Sequence, residues 1–293
     1  MCQFSLPNAK TAFFCIIAVL LTSACASSPE APIIEQLSGP AAAETATRID
    51  ALMPLDVLLV GEQHDAAEHH RIEQRVVANL AQRGVLAAVT LEMADAGTGT
   101  AKLHPSSSDE QVRFALKWSD KNWPWAAYGP AVMTAVRAGV PVLGADLPRA
   151  QMRDAMANST LDGQLPGPAL KAQQQRIRMG HCNLLPEGQI TPMTRIQIAK
   201  DISMAHTVSQ AAVPGKVVLL LSGSGHADRL LGVPQHLASS LKVKVIRLRA
   251  GSDAADNADA FDMVWATPAL PNTDYCAGLQ HQFGPKAKSE IKP

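Results

Sequence analysis

The chain has 293 residues, and its 26 basic and 26 acidic side chains leave it with no formal net charge. That length can bury a full core, as one large domain or as a domain with a sizeable insertion. With no basic field to attract a phosphate backbone, nucleic-acid binding is excluded as a leading class.

The first segment reads as an address. Lys10 precedes the apolar run TAFFCIIAVLL (11–21), and TSAC follows, ending at Cys25. The run is too short to cross a membrane, and its small-residue exit suits signal cleavage. We expect residues 1–25 to be a bacterial lipoprotein signal peptide with Cys25 lipidated, although Thr22 stands where leucine is usual. Plain secretion, with cleavage between Ala24 and Cys25, is the alternative. Ala26 after the cysteine favours the outer membrane, with residues 26–45 as a tether.

From there short β-rich runs alternate with amphipathic stretches, which predicts an α/β fold with a mainly parallel sheet flanked by helices. DVLLV (56–60) is the first strand, and 66–84 is a helix stopped by Gly84. LAAVTLE (86–92) is a second strand, helices follow near 109–118 and 127–138, and VPVLGAD (140–146) is a third strand. KVVLLLSGSGH (216–226) holds the fourth strand, VPQHLASSL (233–241) reads as helical, and 243–249 and 261–267 are the last two strands. Between 147 and 213 only helices are expected. The parallel domain therefore comprises 46–146 and 214–270, the helical subdomain 147–213, and the C-terminal tail 271–293.

Ligands of open parallel sheets sit beyond the carboxyl ends of the strands. Here the first strand ends in Gly61-Glu62-Gln63-His64, the second in Glu92, the third in Asp146 and the fourth in Ser222-Gly223-Ser224-Gly225-His226. His64, Glu92 and His226 are thus candidate site residues. Each has a bland alternative: a helix cap for His64, a phosphate-type loop for the GSGH run, a sheet-edge salt bridge for Glu92. A dinucleotide loop is disfavoured because Asp228 stands where a third glycine would be. His69 and His70 lie about 100° apart on a helix, so at most one faces the crevice. We expect His69 on the exposed surface and leave His70 open.

WSDKNWPWAAYGP (118–130) gathers Trp118, Trp123, Trp125 and Tyr128 in a chain poor in aromatics. The run builds either a flat apolar ligand wall with one phenol or a helix-packing corner. Gln197 and Asp201 share a helix face otherwise suited to packing, as a buried docking pair or as ligand contacts. Cys182 and Cys276 could pair in an oxidising compartment, or stand as unrelated thiols.

The order GEQHD, LEM, WAAYGP, GADLPR, GHCNLLPE with MTRIQIAKDISMA, and SGSGHADRLLGVP, over about residues 50 to 270, resembles the ChaN-like haem-binding uptake proteins of the broader Tiki/ChaN/erythromycin-esterase-like superfamily. The resemblance implies a lipid-anchored protein that binds ferric haem as a homodimer, with a tyrosine on each iron and a partner histidine on the propionates. An outer-membrane haem receptor is the implied delivery partner. Tyr128, in the matched WAAYGP motif, is the expected iron ligand; Tyr275 lies beyond the matched region. His181 is the first choice for the propionates and His64 the second. A phenolate is a hard anionic oxygen suited to ferric iron. Haem binding leaves the strand-end residues unused. They resemble the superfamily's hydrolytic members, so the alternative is a periplasmic peptidase or esterase. It would use His64, Glu92 and His226 with a divalent metal such as zinc or manganese, or with a bare histidine base.

Overall fold

The computed structural model describes residues 39–251 and 259–283. The expected signal peptide, Cys25, the first part of the tether and the end of the tail lie outside the described residues.

The elements in chain order are α1 (Pro40–Asp50), β1 (Val57–Glu62), α2 (Ala67–Gln82), β2 (Leu86–Asp95), α3 (Asp109–Ala115), α4 (Trp125–Arg137) and β3 (Val142–Asp146). Helices α5 (Met152–Ala157), α6 (Gly167–Gly180) and α7 (Glu187–Ala211) follow. Then come β4 (Val217–Gly223), the single turn α8 (Ser224–Ala227), β5 (Val243–Ala250), β6 (Met263–Thr267) and α9 (Tyr275–Phe283). The strands form one sheet in the order β3-β2-β4-β1-β5-β6, and every neighbouring pair is parallel.

Alternation explains the unbroken apolar strands, because successive side chains leave opposite faces. Leu58 and Val60 of β1, Leu219 and Leu221 of β4, and Ile246 and Leu248 of β5 join one core with residues of α2 and α4. Val57, Leu59, Val218, Leu220 and Val245 join a second core, closed by Met204, Ala205 and Val208 of α7. Burying each such side chain contributes about 1.5–3 kcal/mol.

The stretch between β3 and β4 is helical, yet α7 belongs to two cores. Its C-terminal half covers the sheet, while Ile198 packs with Leu147, Ala155, Leu161 and Leu165 in a small core of its own. Two ion pairs pin these helices to the sheet side: Lys200 to Asp146 at the end of β3 at 2.9 Å, and Arg176 to Asp228, just after α8, at 2.5 Å.

Three expectations change. VPQHLASSL is not a helix: only Val233–His236 make a 3-10 turn, and Leu237 is extended, which lets it pack on the second core. Residues 40–45, expected in the tether, are the first turns of α1, and Thr45 is already buried. The tail carries α9.

Candidate functional site

β2, β4 and β1 are adjacent at the middle of the sheet. The chain first runs outward through β2 and β3, returns to place β4, then leaves on the other side through β5 and β6. That reversal is the switch point where α/β sheets open a crevice. Glu62 and Gly223 end β1 and β4 there, and Glu92 follows Leu91, the last residue of β2 paired with β4.

The glycines of the two loops have a steric cause. A Cβ on Gly61 would lie 2.8 Å from the Ala227 Cβ and from the Ser224 Cα, so β1 could not pass beneath α8. A Cβ on Gly223 would lie 2.7 Å from His64 Nε2. The Gly223 backbone, at φ −59° and ψ 147°, suits any residue, so space alone requires glycine there. Gly223→Ala is therefore expected to push the His64 ring off its partners. Its proton titration, followed by NMR, should move towards that of a free imidazole; an unchanged titration would show that the loops absorb the methyl.

His64 is held from behind and open in front. Its Nδ1 lies 2.8 Å from Glu62 Oε1, while its Nε2 is 3.9 Å from Glu92 Oε2 and its side chain keeps 38% exposure. Glu92 accepts the Gly223 N–H at 2.7 Å and meets His226 Nε2 at 3.3 Å. His226 Nδ1 meets Asp201 of α7 at 2.6 Å, with the Gln197 amide 3.0 Å away. Gln197 and Asp201 are the docking pair, and His226 is what they dock.

Burial alone would push Glu92 up, but His226, then His64 and Lys200, hold it well below the usual carboxylate range. Burial would depress His226, yet Glu92 and Asp201 raise it to about 10, so it stays an imidazolium at neutral pH. Burial raises Asp201 to about 6 against the pull of His226. His64 is also raised: burial opposes its charge, but the Glu62 bond and the Glu92 charge outweigh it. A group raised from 6.5 to about 10 on folding stabilises the fold fully below 6.5 and loses that contribution as pH rises through 10. Removing one partner of a buried pair costs about 3–5 kcal/mol. His226→Gln should therefore be far less stable than wild type at pH 6, with the gap narrowing towards pH 10 in denaturant titrations. A constant gap would mean that His226 is neutral.

These contacts bear on the expected divalent metal. Both ring nitrogens of His226 and the Nδ1 of His64 already face carboxylates, and among the described residues no three His, Cys, Asp or Glu side chains form a metal-holding group. The strand-end residues do not fit a resident zinc or manganese ion.

Behind His64 lies a second, buried tier. Glu62 also meets His70 Nε2 at 3.0 Å and accepts from the Tyr128 hydroxyl at 2.9 Å. Its carboxyl is lowered: burial opposes ionisation, and the His64 and His70 bonds prevail. Glu73, one turn beyond His70, is wholly buried and raised well above the carboxylate range by burial and by Glu62. His70, left open by the sequence, points inward onto Glu62 and the Tyr128 ring. His69, expected on the exposed surface, is instead buried: its Nδ1 accepts the Gln63 N–H and its Nε2 lies 3.0 Å from Thr267 Oγ1.

Tyr128 is the main correction. Only 2% of it is exposed, and its hydroxyl is committed to Glu62. Burial and the adjacent Glu62 charge push the phenol strongly up, away from the phenolate that ferric iron needs. Nor do the tryptophans make a flat shelf. Trp118 meets Trp125 edge-to-face at 5.0 Å, Trp123 meets Tyr128 likewise at 5.8 Å, and Trp123 lies 4.8 Å from the His64 ring. They are a packing corner that walls His64.

Tyr275, the second phenol, is 60% exposed, and its hydroxyl donates to Asp65, the neighbour of His64, at 2.5 Å. Cys276 beside it is disulfide-bonded to Cys182, the neighbour of His181. One covalent link therefore brings the last helix to the turn after α6, where His181 is half-buried with Nδ1 2.8 Å from the Ile177 carbonyl. Sequence reasoning did not foresee Glu62 as the group orienting His64, nor Asp65 beside Tyr275. Glu62 had a visible signal: a carboxylate as the last residue of a strand buried on both faces.

The family described as haem-binding uptake, Tiki superfamily, ChaN, matches residues 48–237. Among solved structures, the cofacial haem complex of ChaN from Campylobacter jejuni is 26% identical with a TM-score of 0.61, over 74% of this chain and 89% of that one. An erythromycin esterase in an open conformation follows at 15% identity and TM-score 0.45, over 74% and 75% of the two chains. A Bacillus cereus protein follows at 11% and 0.41, over 73% and 70%. No curated protein sequence is similar enough to match. With a family match over well more than half its length, on a parallel α/β sheet that the ChaN structure shares, this chain belongs to the ChaN family of haem-binding uptake proteins in the Tiki superfamily.

Proposed function

We propose that the protein is a haem-binding lipoprotein of haem or iron uptake, in which Tyr275 takes the ferric iron and His181 meets the propionates. The observation that carries this is the exposed Tyr275 phenol, linked through the Cys182–Cys276 bond to His181 and resting on Asp65. It fits the group in kind: a hard oxygen open to solvent, whose proton is held by the Asp65 hydrogen bond and must leave when iron binds. Bound haem would supply a ferric centre that the apo chain lacks. A single protein ligand on each iron suits capture and release. Cofacial haem in the Campylobacter jejuni ChaN complex supports pairing of two haems here; in a homodimer each copy would offer its phenol to one haem and its histidine to the other. Lipid on Cys25 would hold the chain at the outer membrane, near a haem receptor. Titrating the purified chain with hemin tests this: a saturable, high-spin ferric spectrum of tyrosinate type is expected, and its absence overturns the proposal.

A second function rests on a different observation. Glu62 behind His64, with Nε2 of the ring left facing Glu92, is the arrangement of an oriented general base. His226, kept cationic between Glu92 and Asp201, fixes the Glu92 carboxylate that faces the His64 ring. On a peptide or ester, His64 would take the proton of attacking water and Glu62 would hold the ring. Two imidazoles thus have two roles, set by which carboxylates they face.

A further inference from the structure

Helix α9 is attached to the fold by few bonds. Before it, the Thr267 carbonyl accepts the Gly251 N–H at 3.0 Å, and the Thr267 hydroxyl lies against His69. Residues 268–274 form no helix or strand, and α9 itself rests only lightly on the other described elements. Among the described residues, the Tyr275–Asp65 hydrogen bond and the Cys182–Cys276 disulfide tie it across the end of the sheet. The disulfide is the stronger and the more exposed to chemistry, since both cysteines are only half-buried. Its other end sits in a turn where Cys182 and Asn183, neither of them glycine, both take positive φ, 56° and 57°. Consecutive left-handed residues of this kind are disfavoured, and here backbone hydrogen bonds from Cys182 and Asn183 to the end of α6 hold them. Accessible disulfides with a strained surround are the ones that exchange.

We infer that Cys182–Cys276 is a thiol–disulfide exchange site for a dithiol reductant, and that its reduction releases the Tyr275 segment from the His181 turn. The inference rests on the haem site proposed above and adds its regulation. Attack by one thiolate of the reductant breaks the S–S bond, forming a mixed disulfide and freeing one protein thiol. The reductant's second thiolate then displaces the other cysteine. Two electrons and two protons reach the protein, and the reductant leaves as its own disulfide. Oxidised, the segments that carry the phenol and the imidazole are tied covalently; reduced, the phenol keeps its hydrogen bond to Asp65 without that tie.

The test uses the full chain, oxidised, treated with dithiothreitol, and as Cys276→Ser, with hemin as the ligand and amide hydrogen exchange as a separate readout. Reduction or Cys276→Ser should speed exchange in 271–279 and 179–184 and weaken hemin binding at least tenfold, with reoxidation restoring only the wild type. Equal hemin affinity in both redox states, or unchanged exchange, overturns the inference while leaving the haem site standing. Failure of the oxidised chain to take hemin overturns the proposed haem site together with its regulation, an outcome distinct from the first two.

Discussion

Tyr275→Phe is expected to abolish the tyrosinate-type hemin spectrum and to weaken binding on the order of 100-fold, about 2.7 kcal/mol. The chain has two tyrosines, and they sit in opposite environments. Tyr128 is sealed in the core on Glu62; Tyr275 faces solvent. Tyr128→Phe should therefore leave the spectrum unchanged. It should instead cost about 1–3 kcal/mol of stability, because Glu62 loses a donor in a place water cannot reach. The opposite pattern, with the spectrum lost in Tyr128→Phe and kept in Tyr275→Phe, would show that the core opens to admit haem and would overturn the surface site. A proton test accompanies the substitution. The Asp65 hydrogen bond raises the Tyr275 phenol, so it is protonated at neutral pH and must release its proton to bind iron. Hemin affinity should then rise by about tenfold per pH unit through neutrality, and this slope should vanish in Tyr275→Phe.

The second large effect concerns His64. If the strand-end centre hydrolyses esters or peptides, His64→Ala should lower kcat by roughly 100- to 10,000-fold, the usual worth of a positioned base. Glu62→Gln separates orientation from simple presence. Removing that carboxylate withdraws the bond that raises His64, so the ring loses its proton at lower pH. The acid limb of the pH–rate profile should shift to lower pH while the maximal rate falls. Hemin binding should persist in both variants, since neither residue touches Tyr275 or His181 through the described contacts. A peptide or ester screen with no turnover that depends on His64 would leave this centre a structural one.

Much of the architecture was legible because burial writes periodicity into sequence. Uninterrupted runs such as DVLLV and KVVLLL are required of strands covered on both faces, and each proved to divide its residues between two cores. The glycine-histidine loops were legible for a related reason, since only glycine permits β1, α8 and the His64 ring to approach so closely. VPQHLASSL was misleading because a short amphipathic run also suits an extended segment laid on a core. His69 misled more sharply: one helix turn cannot reveal that β6 will arrive to cover it with Thr267.

The sequence by itself determined the α/β class, the parallel strands and the grouping of His64, Glu92 and His226 at strand ends, because these follow from local periodicity and from glycine. Tertiary structure alone decided what each group can do. Whether a phenol is a ligand or a core hydrogen-bond donor, or an imidazole a base or a fixed cation, depends on contacts between residues distant in the chain. Tyr128 to Glu62, His226 to Asp201 and Cys182 to Cys276 are separated by 66, 25 and 94 positions. No local pattern encodes such distances, and it is through them that burial and neighbouring charge select the protonation state.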